Sequence, residues 1–160
     1  MDNPSLTGVS EIVAVNATTF LTLERDGGYA EAATSAATFK KVFKIDLSVA
    51  TDISDPANGV KGKLFGSKTV EELKDQAGLS TAGIVPVSKS LVLDLLKDLP
   101  GIYPHDKAEG LALINGNTLV ISNDDDFGVI PGPNGTFAQK ILPFTKSVDR
   151  NRLYFVKVRL

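Results

Sequence analysis

Apolar and polar residues alternate with period two over most of the chain, the pattern of strands with one buried face. Val9-Ser10-Glu11-Ile12-Val13-Ala14-Val15 is a short β-branched run, Asn16-Ala17-Thr18 interrupts it, and Thr19-Phe20-Leu21-Thr22-Leu23 resumes the alternation. The segment reads as a hairpin. Residues 39–47 set Val42 against Lys44 and Phe43 against Ile45, a strand with one wet face. Residues 88–95 fit a strand, while the tail Leu95-Leu96-Lys97-Asp98-Leu99 fits a helical turn stopped by Pro100-Gly101, and both readings stand. The clearest hairpin runs Glu109-Gly110-Leu111-Ala112-Leu113-Ile114, turns at Asn115-Gly116-Asn117, and leaves through Thr118-Leu119-Val120-Ile121-Ser122. Asn-Gly accepts the positive φ angles that a type I′ turn requires. Residues 152–160 form a last strand, and Gly132-Pro133-Asn134-Gly135 is turn chemistry. One helix is expected: Thr69-Val70-Glu71-Glu72 is a capping box, Leu73 and Ala77 supply an apolar side, and Gly78 stands where the helix stops. It lies within 48–86, a stretch rich in Gly, Ser, Asp and Lys that reads as an insertion between strands of a single domain covering 1–160.

The two hairpins overlay without a gap, placing Glu11 on Glu109, Ala14 on Ala112, Leu21 on Leu119 and Asp26 on Asp124. Each is followed by a strand with a basic start, at Lys40-Lys41 and at Arg152. A repeated unit of hairpin plus outer strands is how a propeller blade is built, so the expected fold is mainly β, with about two propeller-like blades. Two blades do not close a ring, and an uncovered sheet edge invites pairing. The chain is therefore expected to be part of a longer propeller, an open β structure, or a subunit that completes a ring as a homo-oligomer, with self-association or a covered edge.

Composition narrows the chemistry. The 160 residues carry 17 basic and 19 acidic side chains, a net charge of −2, so nucleic acid and anionic lipid are poor partners. No apolar run approaches the roughly 20 residues of a membrane helix, which argues against membrane insertion. The N-terminus shows no basic-then-apolar signal pattern. The absence of cysteine excludes disulfides, zinc-thiolate sites and thiol nucleophiles, and the single histidine excludes sites needing two imidazoles.

Asn123-Asp124-Asp125-Asp126 is the densest polar run. Its oxygens are the ligands calcium prefers, and in an extended chain Asp124 and Asp126 share one face. An acidic, solvated loop is the simpler alternative. Glu11 and Glu109 stand near the starts of the aligned strands, so the candidate calcium ligands are Glu11, Glu109, Asn123, Asp124 and Asp126. Glu109, Asp124 and His105 are the candidate catalytic groups. Arg25, Lys107 and Arg150 would form a cationic rim suited to a small phosphorylated substrate. Neither a Gly-x-Ser-x-Gly elbow nor a phosphate-binding loop occurs.

The segment Tyr103-Pro104-His105-Asp106-Lys107-Ala108-Glu109-Gly110-Leu111-Ala112, followed by residues 118–128, resembles the signature of the bacterial phytase-like domain, also described as esterase-like activity of phytase. Residues 10–26, 42–48 and 149–155 resemble other parts of the same family, and the chain is similar to its C-terminal portion. The resemblance implies a propeller-like β fold, phosphoester or ester hydrolysis, and a bacterial parent protein that is secreted or periplasmic. The competing expectation is a non-catalytic propeller segment used for binding or assembly.

Overall fold

The computed structural model describes residues 8–160. Among them, nine strands form antiparallel sheets, joined by one short α-helix and several 3-10 turns. The chain divides into two compact units, residues 8–45 with Ser90–Leu160, and Asp46–Lys89. Strands β1 (Gly8–Ala14), β2 (Thr19–Arg25), β3 (Lys40–Asp46) and β4 (Ser88–Asp94) lie side by side in chain order. A second sheet holds β5 (Ala108–Ile114) and β6 (Thr118–Asn123). Two three-residue strands, β7 (Val129–Pro131) and β8 (Phe137–Gln139), pair with each other before β9 (Leu153–Lys157) returns to the free side of β6.

Both expected hairpins form. Asn115 (φ 51°) and Gly116 (φ 69°) take the left-handed conformation, and the Asn117 N–H donates to the Ile114 carbonyl at 3.4 Å. In the first hairpin the Asn16 side-chain oxygen accepts from the N–H groups of Thr18 and Thr19 at 3.0 and 2.9 Å. The Gly132–Gly135 segment turns the chain between β7 and β8. Residues 88–99 satisfy both readings in succession: β4 ends at Asp94, and a turn follows in which the Lys97 and Asp98 N–H groups bond back to the Asp94 carbonyl.

The gapless overlay of the hairpins needs correction. Each pair contains a β-bulge, between Val9 and Glu11 in one and between Ala108 and Gly110 in the other. The extra residue is Ser10 in the first hairpin and Glu109 in the second, so Ser10, not Glu11, is the counterpart of Glu109. Glu11 instead faces Leu23. Gly110 sits against Ser122, where a Cβ would come within 2.3 Å of the Ser122 hydroxyl, so a larger residue there requires that hydroxyl to turn away.

The helix also differs from expectation. The capping-box bond forms, with the Thr69 N–H donating to Glu72 at 2.8 Å, but it closes only a 3-10 turn, Glu71–Leu73. Lys74 then takes φ 66°, which breaks the helical path. The α-helix, α1 (Gln76–Thr81), starts afresh with Asp75 as its cap, accepting from the Gly78 N–H at 2.8 Å. Gly78 thus lies inside the helix and not at its stop. In this second unit, Asp46–Lys89, Ile84 is the one buried residue, and side-chain caps from Asp52, Asp55 and Asp75 hold the turns.

The core lies in the first unit and is shared by its two larger sheets. Leu21, Leu23, Val42, Leu93 and Leu95 meet Ala108, Leu111, Leu119 and Ile121, with Tyr103 among them. Leu21/Leu23 and Leu119/Ile121 are the inward-facing members of alternating strands, and all four are fully buried. Leu119→Ala is expected to cost about 2–5 kcal/mol through lost burial and the cavity it leaves. Urea unfolding measures this, and a cost below 1 kcal/mol would mean that the sheets do not share this core.

Candidate functional site

β2 ends at Arg25, β6 ends at Asn123 and β5 begins at Ala108, so one end of the two sheets collects the charged connections. At its centre is Lys140, whose side chain is 1% exposed. Its ammonium lies 2.8 Å from Asp106, 2.8 Å from Asp126 and 3.3 Å from Asp149. The backbone of Lys140 works in the same direction. Its N–H donates to the Gly128 carbonyl at 2.8 Å, and its carbonyl accepts from the Asp149 N–H at 2.7 Å. One residue therefore ties the turn after β6 to the segment that leads into β9.

Around this hub the remaining polar groups are paired. His105 is fully buried, with Nδ1 2.6 Å from Asp149 and Nε2 2.8 Å from the Tyr154 hydroxyl. Asn123 donates to the Arg150 carbonyl at 3.2 Å and accepts from the Arg152 N–H at 2.8 Å, locking the end of β6 to the start of β9. Buried Lys40 reaches across sheets: its ammonium donates to Asp26 at 3.2 Å and to the Asp106 carbonyl. Arg25 and Glu109 form an ion pair between β2 and β5. Lys107 pairs with Asp126 and lies 4.0 Å from Asp124.

The titration of these groups follows from their surroundings. Bonds from Lys107 and Lys140 hold the Asp126 carboxyl below its usual range. Burial opposes the charge on Lys140, but bonds to Asp106 and Asp126 outweigh it and push its pKa up. Burial pushes the His105 imidazole down, against the pull of Asp149. The neutral ring is already satisfied, with Nδ1–H donating to Asp149 and Nε2 accepting from Tyr154. Tyr29 is pushed up to about 12 by burial and by the neighbouring Asp106 charge.

The structure brings Arg25, Lys107, Glu109, Asp124 and Asp126 to the partly exposed rim of this end, with side-chain exposures of 22–50%. His105 and Asn123 lie beneath them, buried and fully engaged. Arg150 contributes its carbonyl to Asn123 while its side chain faces solvent. Glu11 accepts from its own neighbour, the Ile12 N–H, at 2.9 Å. Among the described residues no three His, Asp or Glu side chains gather to hold a metal ion. Asp124 and Asp126 face the Lys107 and Lys140 ammonium groups, so in this structure they belong to an ion-pair network. Sequence reasoning passed over Lys140, Lys40 and Asp149. Lys140 follows the unremarkable Phe137-Ala138-Gln139, and only the basic start of β3 hinted at Lys40.

Lys140→Met removes the ammonium that lies 2.8 Å from Asp106 Oδ1 and 3.3 Å from Asp149 Oδ2, two buried oxygens. The expected cost is about 3–5 kcal/mol in urea unfolding, and an unchanged midpoint would overturn the hub assignment. Stability should also fall with acidification in two stages. Below the ordinary histidine value of 6.5 the unfolded chain takes up a proton that folded His105 refuses. Below the ordinary aspartate value of 3.8 the same holds for Asp126. In a melting series across pH, His105→Gln is expected to abolish the first stage and keep the second. Retention of the first stage would place its origin elsewhere.

No curated protein and no solved structure matches the chain. The phytase-like family model, described as esterase-like activity of phytase, matches residues 1–127 of the 160. This match includes His105, Lys107, Glu109 and the acidic run that follows β6, and stops short of Lys140 and Asp149. The chain is therefore a member of the phytase-like family.

Proposed function

We propose that this chain takes part in phosphoester or ester hydrolysis as two blades of a propeller-type domain, with substrate meeting the rim formed by Arg25, Lys107, Glu109 and Asp124. The observation that carries the reading is the layering at this end of the sheets. Partly exposed cations and carboxylates stand over a buried network that holds them in place. Arg25 suits an anionic phosphoryl or developing oxyanion, and Lys107 adds a second positive charge. Glu109, freed from Arg25 when substrate claims the guanidinium, becomes a general base toward water. His105 is out of substrate reach and acts only by positioning Asp149 and Tyr154. The blade reading rests on the sequential four-stranded sheet β1–β4 and its β5–β6–β9 neighbour.

Turnover of p-nitrophenyl phosphate, p-nitrophenyl acetate and inositol hexakisphosphate tests the proposal. Glu109→Gln should lower kcat by about 100-fold or more while barely moving the melting temperature, because a partly exposed pair contributes at most about 1 kcal/mol. Equal turnover in the variant, or none in the wild type, would sink it. Added calcium or a chelator should leave the melting temperature unchanged, and a rise with calcium would restore Asp124 and Asp126 as metal ligands.

A second reading, a non-catalytic segment for binding or assembly, has its own observation. Leu153 and Phe155 are 62% and 64% exposed on β9, the edge strand of its sheet. Light scattering decides its assembly form: a discrete oligomer supports self-association, and a monomer near the 17.0 kDa chain mass contradicts it.

A further inference from the structure

The two larger sheets are built alike, but one is a strand short. In the first, the hairpin β1–β2 is followed by β3, and β4 covers the outer side of β3. In the second, the hairpin β5–β6 is followed by β9, and among the described residues no strand covers the outer side of β9. The two ends of β9 fix the direction of its backbone groups. The Arg152 N–H donates to the Asn123 side chain at 2.8 Å and the Val158 N–H to the Asn117 carbonyl at 2.9 Å, both on the β6 side. Backbone groups alternate along a strand, so the N–H and C=O groups of Leu153, Phe155 and Lys157 point to the outer edge. The chain from Leu99 to Ile102 runs beside that edge and, with Tyr154–Lys157, lines an open and mainly apolar groove. Leu153 and Phe155 add exposed apolar side chains on the face of the strand away from the core. The flanks of the strand are basic: Arg150, Arg152, Lys157 and Arg159 are exposed, and no acidic residue occurs from 150 to 160.

We propose that the outer edge of β9 is a docking site for an extended segment of another protein, apolar in alternation at its centre and acidic at its ends, which adds to the sheet as its fourth strand. Main-chain groups of Leu153, Phe155 and Lys157 supply the ladder bonds, and the groove beside Tyr154 and Val156 takes alternate apolar side chains. The four cations set the charge of the partner's ends. The internal precedent is β4, whose Leu91-Val92-Leu93 centre runs into Asp94. That acidic end meets the basic start of β3, where the Leu95 N–H donates to the Lys40 carbonyl at 2.9 Å. Charge also selects against a second copy of this chain, because a two-fold pairing of β9 with itself would lay two basic strands side by side. The inference rests on the binding form of the second reading above and gives it a partner class, and it is independent of hydrolysis at the rim.

The test titrates two synthetic peptides into the chain and follows its backbone amides by NMR. Both peptides carry the centre Val-Thr-Val-Thr-Val, one between Asp-Glu pairs and the other between Lys-Lys pairs. At low salt the acidic peptide should bind about 10-fold more tightly than the basic one, and high salt should remove most of that advantage. Its binding should protect the N–H groups of Leu153, Phe155 and Lys157 from exchange. Phe155→Pro removes an outward donor without touching the ladder to β6, so it should abolish binding at an unchanged melting temperature. Lys157→Glu with Arg159→Glu should erase the preference for the acidic peptide, which keeps the test decisive even where the proline variant fails to fold. Equal affinity for the two peptides, no binding of the acidic one, or protection elsewhere in the chain would overturn the inference. So would protection of the same three amides without peptide and with a doubled solution mass, which would make the occupant a second copy. Turnover at the rim together with acidic-peptide binding supports the edge site and counts against the non-catalytic reading alone, whereas failed binding overturns the edge site and leaves rim hydrolysis standing.

Discussion

Three carboxylates, of Asp106, Asp126 and Asp149, stand around one buried ammonium group. Without Lys140 they repel one another, and the buried oxygens of Asp106 and Asp149 lose the ammonium they pair with. The ammonium is delivered by a segment that lies outside both large sheets and is fixed through its backbone to Gly128 and Asp149. Everything at this end of the sheets depends on that placement. The turn after β6 is anchored by Asp126, the start of β9 by Asp149, and the approach to β5 by Asp106.

The apolar core and the polar cluster divide the work between them. Leu21, Leu23, Leu119 and Ile121 hold the two sheets together, as non-directional burial does. Burial alone does not set the position of the connecting turns. Directional bonds from Lys40, Asn123 and Lys140 do that, each joining segments far apart in the chain. Arg25, Lys107, Glu109 and Asp124 can then remain partly exposed at the rim without loosening the fold. An oriented rim over an immobile base is what hydrolytic chemistry at this end would require.

Much of the fold was legible because it is local. The alternation Leu21/Leu23 and Leu119/Ile121, and the Asn115-Gly116 turn, declare hairpins within a few residues. The helix boundary was misread because one left-handed residue, Lys74, overrode a capping signal that does form its bond. The hairpin repeat was misaligned by one position because matching residue types, and not the β-bulge that both hairpins share, set the overlay. Of the site, the acids and the rim cations were visible as clusters in sequence, whereas their partners were not. Lys140 is 14 residues from Asp126 and carries no motif, so its role exists only after β7 and β8 have folded back. The same long-range pairing places the acidic run after β6 in an ion-pair network.

Amide hydrogen exchange, read residue by residue under native conditions, tests the central claim most directly. If Lys140 is the hub, the N–H groups of Lys140, Asp149 and Asn151 open only with global unfolding. They should then show the same denaturant dependence as the N–H of Ile121 in the core. Fast exchange of those three amides by local opening, with Ile121 still protected, would contradict the account. The charged end would then be a separately opening loop and not the clasp of the two sheets.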